Sequence, residues 1–109
     1  MKMVLAIINY DDAQDVISSL MKAGFSITKL ATTGGFLRAG NTTLISGVED
    51  EKLDDALAVI EKICKSREQI TASTTPIGGA GGVYVPYPIR VTVGGATVFV
   101  LEVSQFLKV

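Results

Sequence analysis

A chain of 109 residues with 10 basic and 11 acidic side chains and a net charge of −1 is sized for one domain over residues 1–109. It contains no histidine and one cysteine, which excludes Ser-His-Asp and Cys-His catalysis, His-ligated metal sites, internal disulfides and thiolate zinc clusters. The near-neutral balance is a poor footprint for nucleic-acid polymers or anionic membranes. No apolar run approaches the ~20 residues of a membrane span, and no cleavage signal follows the N-terminus, so a soluble cytoplasmic protein without membrane insertion is expected. The mean hydropathy of +0.41 exceeds what one small core needs and points to a subunit interface.

In chain order, Val4-Leu5-Ala6-Ile7-Ile8 is a continuous apolar run and reads as a strand buried on both faces. Ala13, Val16, Ile17, Leu20 and Met21 then follow helical spacing. Asp11 or Asp12 is the expected N-cap, and Gly24 stands where a C′ glycine belongs. Phe25 to Thr32 alternates apolar and polar residues, as a strand with one solvated face does. Thr33 to Gly40 is a glycine-punctuated turn or loop, and Asn41 to Gly47 a third strand, antiparallel to the second. A second helix is expected from about Asp50, with Leu53, Ala56, Leu57, Ile60, Ile63 and Cys64 on one face. Its early Asp54 and Asp55 and late Lys62, Lys65 and Arg67 match the helix dipole.

Residues 66–86 carry no clean period and several Gly and Pro residues, and read as a long loop. Ile89–Val93 and Ala96–Val103, separated by Gly94-Gly95, read as a hairpin or one bulged ribbon. The glycine pair marks a bulge, a close backbone approach or a plain turn. The order is β-α-β-β-α-β with an extra late strand, the split βαβ of ferredoxin-like α+β folds. Two helices cover one sheet face. The other face needs a cover, most simply a symmetric oligomer.

Cys64, on the apolar stripe, is expected to be a small core residue rather than a reactive thiol. Glu49, Asp50, Glu51, Asp54 and Asp55 lack the spacing of an oxygen-ligand loop and read as a solvated helix start, so no metal site is assigned. In Thr32-Thr33-Gly34-Gly35-Phe36-Leu37 the glycines can turn backbone N–H groups onto an anion, and two large apolar residues can flank an aromatic base. The same string is also compatible with an ordinary turn anchored by hydrophobic side chains.

Lys29-Leu30-Ala31-Thr32-Thr33-Gly34-Gly35-Phe36-Leu37-Arg38-Ala39-Gly40-Asn41-Thr42-Thr43 resembles the signature of the PII-like cyclic di-AMP receptor family. So do Gly47-Val48-Glu49-Asp50, Pro76-Ile77-Gly78-Gly79, Tyr84-Val85-Pro86-Tyr87-Pro88 and Val93 to Val100, and the likeness covers nearly the whole chain. The resemblance implies a cytoplasmic homotrimer of ferredoxin-like subunits, with one cyclic di-AMP per subunit interface and no catalysis, metal or cofactor. It also implies a mobile loop after the second helix, at about 66–86, and a downstream protein partner that the sequence does not name. Carried over by motif, the ligand contacts fall on Thr28, Gly35, Phe36, Leu37, Asn41, Gly47 and Phe99. Gly35 would offer an unobstructed N–H to phosphate and Thr28 a hydroxyl. Phe36 and Leu37 would pack on adenine, and Asn41 and the Gly47 backbone would pair with its edge. Some members resembling this chain have Asn and Arg where it has Gly24 and Ser26, and Gln where it has Lys108. A PII-like sensor of ATP or ADP is the alternative reading.

Overall fold

The computed structural model describes residues 1–30, 40–73 and 87–109, with the side chains of 71–73 and 87 left aside. The strands are β1 (Lys2–Asn9), β2 (Thr28–Leu30), β3 (Asn41–Val48), β4 (Arg67–Ser73), β5 (Tyr87–Val93) and β6 (Ala96–Glu102). The helices are α1 (Tyr10–Lys22) and α2 (Leu53–Cys64), the latter entered through a 3-10 turn over Asp50–Lys52. Four strands form an antiparallel sheet in the order β2-β3-β1-β6, while β4 and β5 form a separate two-stranded ribbon. The sheet and helices have the ferredoxin-like βαββαβ order, with the ribbon inserted between α2 and the last strand.

One sheet face carries the core. Val4, Ala6 and Ile8 of β1 and Leu44 and Val48 of β3 meet Ala13, Val16 and Leu20 of α1 and Ala56, Ile60 and Cys64 of α2. The α1 stripe holds at Val16 and Leu20, but Met21, placed on it by spacing, is exposed. The N-cap is Asn9, not Asp11 or Asp12: its side chain accepts from the Asp11 N–H at 2.9 Å. Asn9 is still extended, so its side chain can reach back over the first turn. At the other end the Gly24 N–H donates to Met21 and the Phe25 N–H to Leu20, with Gly24 at φ +92°. That is a Schellman motif, and its left-handed residue is where glycine carries no Cβ penalty.

Three sequence readings are corrected by the sheet. In the single chain β1 is buried on one face only, and Met3, Leu5 and Ile7 are half-exposed on the other. The ladder of β2 starts at Thr28 rather than Phe25, because the Ser26 carbonyl accepts from the Ser46 hydroxyl at 2.6 Å instead of from a ladder N–H. Ile89–Val93 and Ala96–Val103 are not a hairpin with one another. Strand β5 pairs with β4 and β6 with β1, and Gly94 and Gly95, at φ +82° and +85°, redirect the chain between the two sheets.

The loop expected over 66–86 begins as strand: Arg67–Ser73 pairs with Tyr87–Val93. Residues 74–86 lie outside the described residues. Among the described side chains of β4, Arg67, Glu68, Gln69 and Ile70 are all exposed, so no alternation marks this strand in the sequence. Alternation records burial on one face, and here there is none to record. Pro88 is tolerated because every strand of a two-stranded ribbon is an edge.

Cys64 is 1% exposed. Burial, then the negative charge of Asp12, pushes its thiol up from 9.0 to about 11, with Arg67 opposing. The native protein therefore holds this proton between pH 9 and 11 while the unfolded chain has released it. Stability is expected to fall through that window by on the order of 1 kcal/mol per pH unit from this group. Denaturant titrations at pH 8, 9, 10 and 11 should show a shallower decline for Cys64→Ala than for the wild type. Parallel declines would mean that the thiol ionises equally in both states.

Candidate nucleotide-binding site

The strand registers assign each predicted site residue to a face. On β3, Thr42, Leu44, Ser46 and Val48 point to the helices, so Asn41, Thr43, Ile45 and Gly47 point to the open side. Thr28 is opposite Ile45, Ile45 is opposite Leu5, and Leu5 is opposite Phe99, a single cross-strand row on that open side. All four predicted site residues that the structure describes — Thr28, Asn41, Gly47 and Phe99 — thus share the sheet face away from the helices. Gly35, Phe36 and Leu37 lie outside the described residues.

That face is largely apolar. Met3, Leu5, Ile7 and Ile45 are half-exposed, Phe99 is 53% and Leu101 is 44% exposed. At one end it deepens into a cavity of about 510 Å³, lined by Ser26, Thr28, Ile45 and Gly47 on the sheet side. Met1 and Met3 lie beneath it, and Phe106, Leu107 and Lys108 of the C-terminal segment form its other wall. The segment is moored where it leaves the sheet by the Val103 N–H donating to the Met1 carbonyl at 3.3 Å. A cavity of this kind combines apolar walls with two hydroxyls, an open glycine backbone and one ammonium, a set suited to a flat heteroaromatic group carrying anionic oxygens.

The structure brings Thr28 and Gly47 together with Ser26 and Lys108, two of the three positions where this chain departs from the members it resembles; the third, Gly24, does not line the cavity. It does not bring Asn41 or Phe99 into that cavity. Asn41 lies at the other end of β3, opposite Asn9. Phe99 is on the far edge strand, three strand spacings or about 14 Å across the sheet from Thr28. Met1, Met3 and Phe106 were missed by residue-level reading. The parity of Met3 with Leu5 on an apolar strand was the available signal, and nothing in the sequence indicates that residues 106–108 fold back toward β2.

The flanks of residues 31–39 are both tied to the first residue of α1. The Tyr10 N–H donates to the Gly40 carbonyl, and the Lys29 ammonium stands over the Tyr10 ring at 5.5 Å. Gly40 itself is at φ +100°, a conformation few other residues adopt at a strand entry. A second cavity, about 430 Å³ between α2 and β6, is lined by Leu57, Ile60, Cys64 and Val98 and contains none of the predicted site residues. Among the described residues no group of His, Cys, Asp or Glu is arranged to hold a metal ion, and no helix is long and apolar enough to cross a membrane.

The fold is an α+β sheet with helices on one side and an open face holding a cavity on the other, an arrangement able to take a small molecule. A family model described as cyclic-di-AMP receptor matches residues 1–109, the whole chain, and the protein belongs to that family. Its structure is similar to the crystal structure of a functionally unknown protein from Pediococcus pentosaceus ATCC 25745. The two are 41% identical over 99% of this chain and 96% of that one, with a TM-score of 0.77.

Position 26 tests how the cavity handles charge. Its side chain is exposed at the cavity, whereas its carbonyl holds the Ser46 hydroxyl, a bond that any side chain at 26 leaves intact. Ser26→Arg is expected to tighten cyclic di-AMP binding by about 1–2 kcal/mol, below a full charge-assisted hydrogen bond because the long side chain must be ordered. Calorimetry at two salt concentrations separates the causes. A gain from charge shrinks with salt, a gain from stacking persists. Equal affinities at low salt would show that this position does not face the ligand.

Proposed function

We propose that this protein is a non-enzymatic cytoplasmic signal-transduction protein that binds cyclic di-AMP between the subunits of a homotrimer. Ligand binding orders the binding loops, and the altered surface changes the association with a downstream protein. The observation that carries the reading is how far apart the proposed contacts lie on the open sheet face. Thr28 lies on the edge strand β2 and Gly47 on its neighbour β3, while Phe99 lies on the opposite edge strand β6. A single ligand reaches both sets most simply when the Phe99 edge of one copy lies beside the Thr28 edge of the next. The apolar row between them, Met3, Leu5, Ile7 and Ile45, gives such copies a surface to bury.

Cyclic di-AMP has the matching chemistry. Its two adenines suit apolar and aromatic walls, and its two phosphates suit hydroxyls, backbone N–H groups and Lys108. Backbone donors explain how a protein of net charge −1 would hold a dianion. The seven contact residues of this reading are Thr28, Gly35, Phe36, Leu37, Asn41, Gly47 and Phe99. Calorimetric titration with cyclic di-AMP, ATP and ADP tests the function. Saturable binding of cyclic di-AMP, with mononucleotides weaker, is expected. Tight ATP or ADP binding with no heat from cyclic di-AMP would transfer the site to a mononucleotide sensor.

A further inference from the structure

Asp12 is the only buried charged residue among those described, at 5% exposure. Its partner does not come from the core. The Arg67 guanidinium, on the first residue of β4, donates to the two carboxylate oxygens at 2.8 and 3.4 Å. It also donates to the Ile63 and Lys65 carbonyls, at 3.4 and 3.2 Å, at the end of α2. Those carbonyls lack partners within the helix, so one planar cation closes the end of α2 and neutralises a carboxylate of α1 together. Gly94, the residue that follows β5, completes the arrangement. A Cβ there would stand 2.6 Å from Arg67 Nη1 and 3.0 Å from the Lys65 carbonyl. Both strands of the ribbon therefore leave the core past the same guanidinium.

Beyond this guanidinium, the ribbon is tied at its base by the Gly95 N–H donating to the Cys64 carbonyl. It pairs with no strand of the main sheet, and a lone two-stranded ribbon is marginal in water. Its exit runs through Gly94 and Gly95, both at positive φ, a conformation that favours glycine. We propose that Asp12 and Arg67 are a positioning pair that fixes the direction of the β4–β5 ribbon relative to the helix layer, making it an aimed arm instead of a swivelling one. Asp12 supplies the fixed anchor because it is buried in the first turn of α1. Arg67 is the movable partner because it begins the arm. The pair is separated by 55 residues in sequence and lies on the helix side of the sheet, away from the cavity at Thr28 and Gly47, so the inference stands independently of the ligand.

Time-resolved fluorescence anisotropy on the full chain tests it. A dye is attached to Gln69→Cys on the exposed ribbon, and in a second preparation to Lys22→Cys at the end of α1. Buried Cys64 stays unlabelled in the folded protein. With the pair intact, both dyes should report mainly the tumbling of the whole particle. In Asp12→Asn, and in Arg67→Gln, the amplitude of the nanosecond component at position 69 is expected to rise roughly twofold or more, and that at position 22 to stay as it was. Arg67→Lys, which keeps the charge but not the two-pronged geometry, should fall between; it also carries the test if the other variants do not fold. A lower melting temperature with unchanged anisotropy at 69 would reduce the pair to a stabilising contact and overturn the proposal. Equal loosening at 69 and 22 would overturn it as well, by showing that the pair holds the core and not the arm.

Discussion

Leu5→Glu is expected to leave the chain folded and monomeric. Leu5 sits in the middle of β1 on the open face, half-exposed in the single chain and opposite both Ile45 and Phe99. A carboxylate there meets water in the monomer and costs folding little. In an assembly that covers this face the same carboxylate is buried without a partner, at several kcal/mol per subunit. Light scattering over a micromolar dilution series should give about three times the subunit mass for the wild type and one for the variant. Loss of cyclic di-AMP binding should accompany dissociation, because in the proposed trimer each site takes residues from two copies. A wild type that is monomeric throughout would remove the interfacial site. A variant that still forms trimers would show that the open face is not what the copies bury.

Phe36→Ala is expected to weaken cyclic di-AMP binding by about 1–3 kcal/mol, the scale of an aromatic ring stacked on a base. A large aromatic residue follows two glycines in a stretch with no apolar period, so it has no evident core position. Thermal unfolding should be almost unchanged, since a residue that packs on ligand contributes little to the unliganded fold. A large drop in stability with unchanged affinity would make Phe36 a hydrophobic anchor of an ordinary turn. The titration is most informative beside Ser26→Arg, because the two substitutions alter stacking and charge separately.

The parts of this fold legible in the sequence are those whose residues record burial. Val4, Ala6 and Ile8, then Val16 and Leu20, then Ala56, Ile60 and Cys64 appear in the periodicity because a single core selects them. Gly24 was legible because a left-handed helix end favours glycine. Strand β4 was not, since Arg67, Glu68, Gln69 and Ile70 are all exposed and carry no alternation. The N-cap lies two residues before Asp11 because Asn9 ends a strand and begins a helix within one residue. Asp12 is offered by the sequence as an N-cap, and only the approach of Arg67 shows it as a buried, paired acid. For the site, the resemblance supplied Thr28, Asn41, Gly47 and Phe99, and strand parity puts them on one face. The separation of Phe99 from Thr28 was illegible: it depends on the strand order β2-β3-β1-β6, which no local pattern encodes.

Native mass spectrometry of the wild-type protein with a modest excess of cyclic di-AMP tests the central claim most directly, because it counts subunits and ligands in one particle. A site shared between neighbouring copies requires a trimer that carries up to three cyclic di-AMP molecules, with no ligand retained on monomers. Monomers that carry cyclic di-AMP, or trimers that bind none, would contradict it.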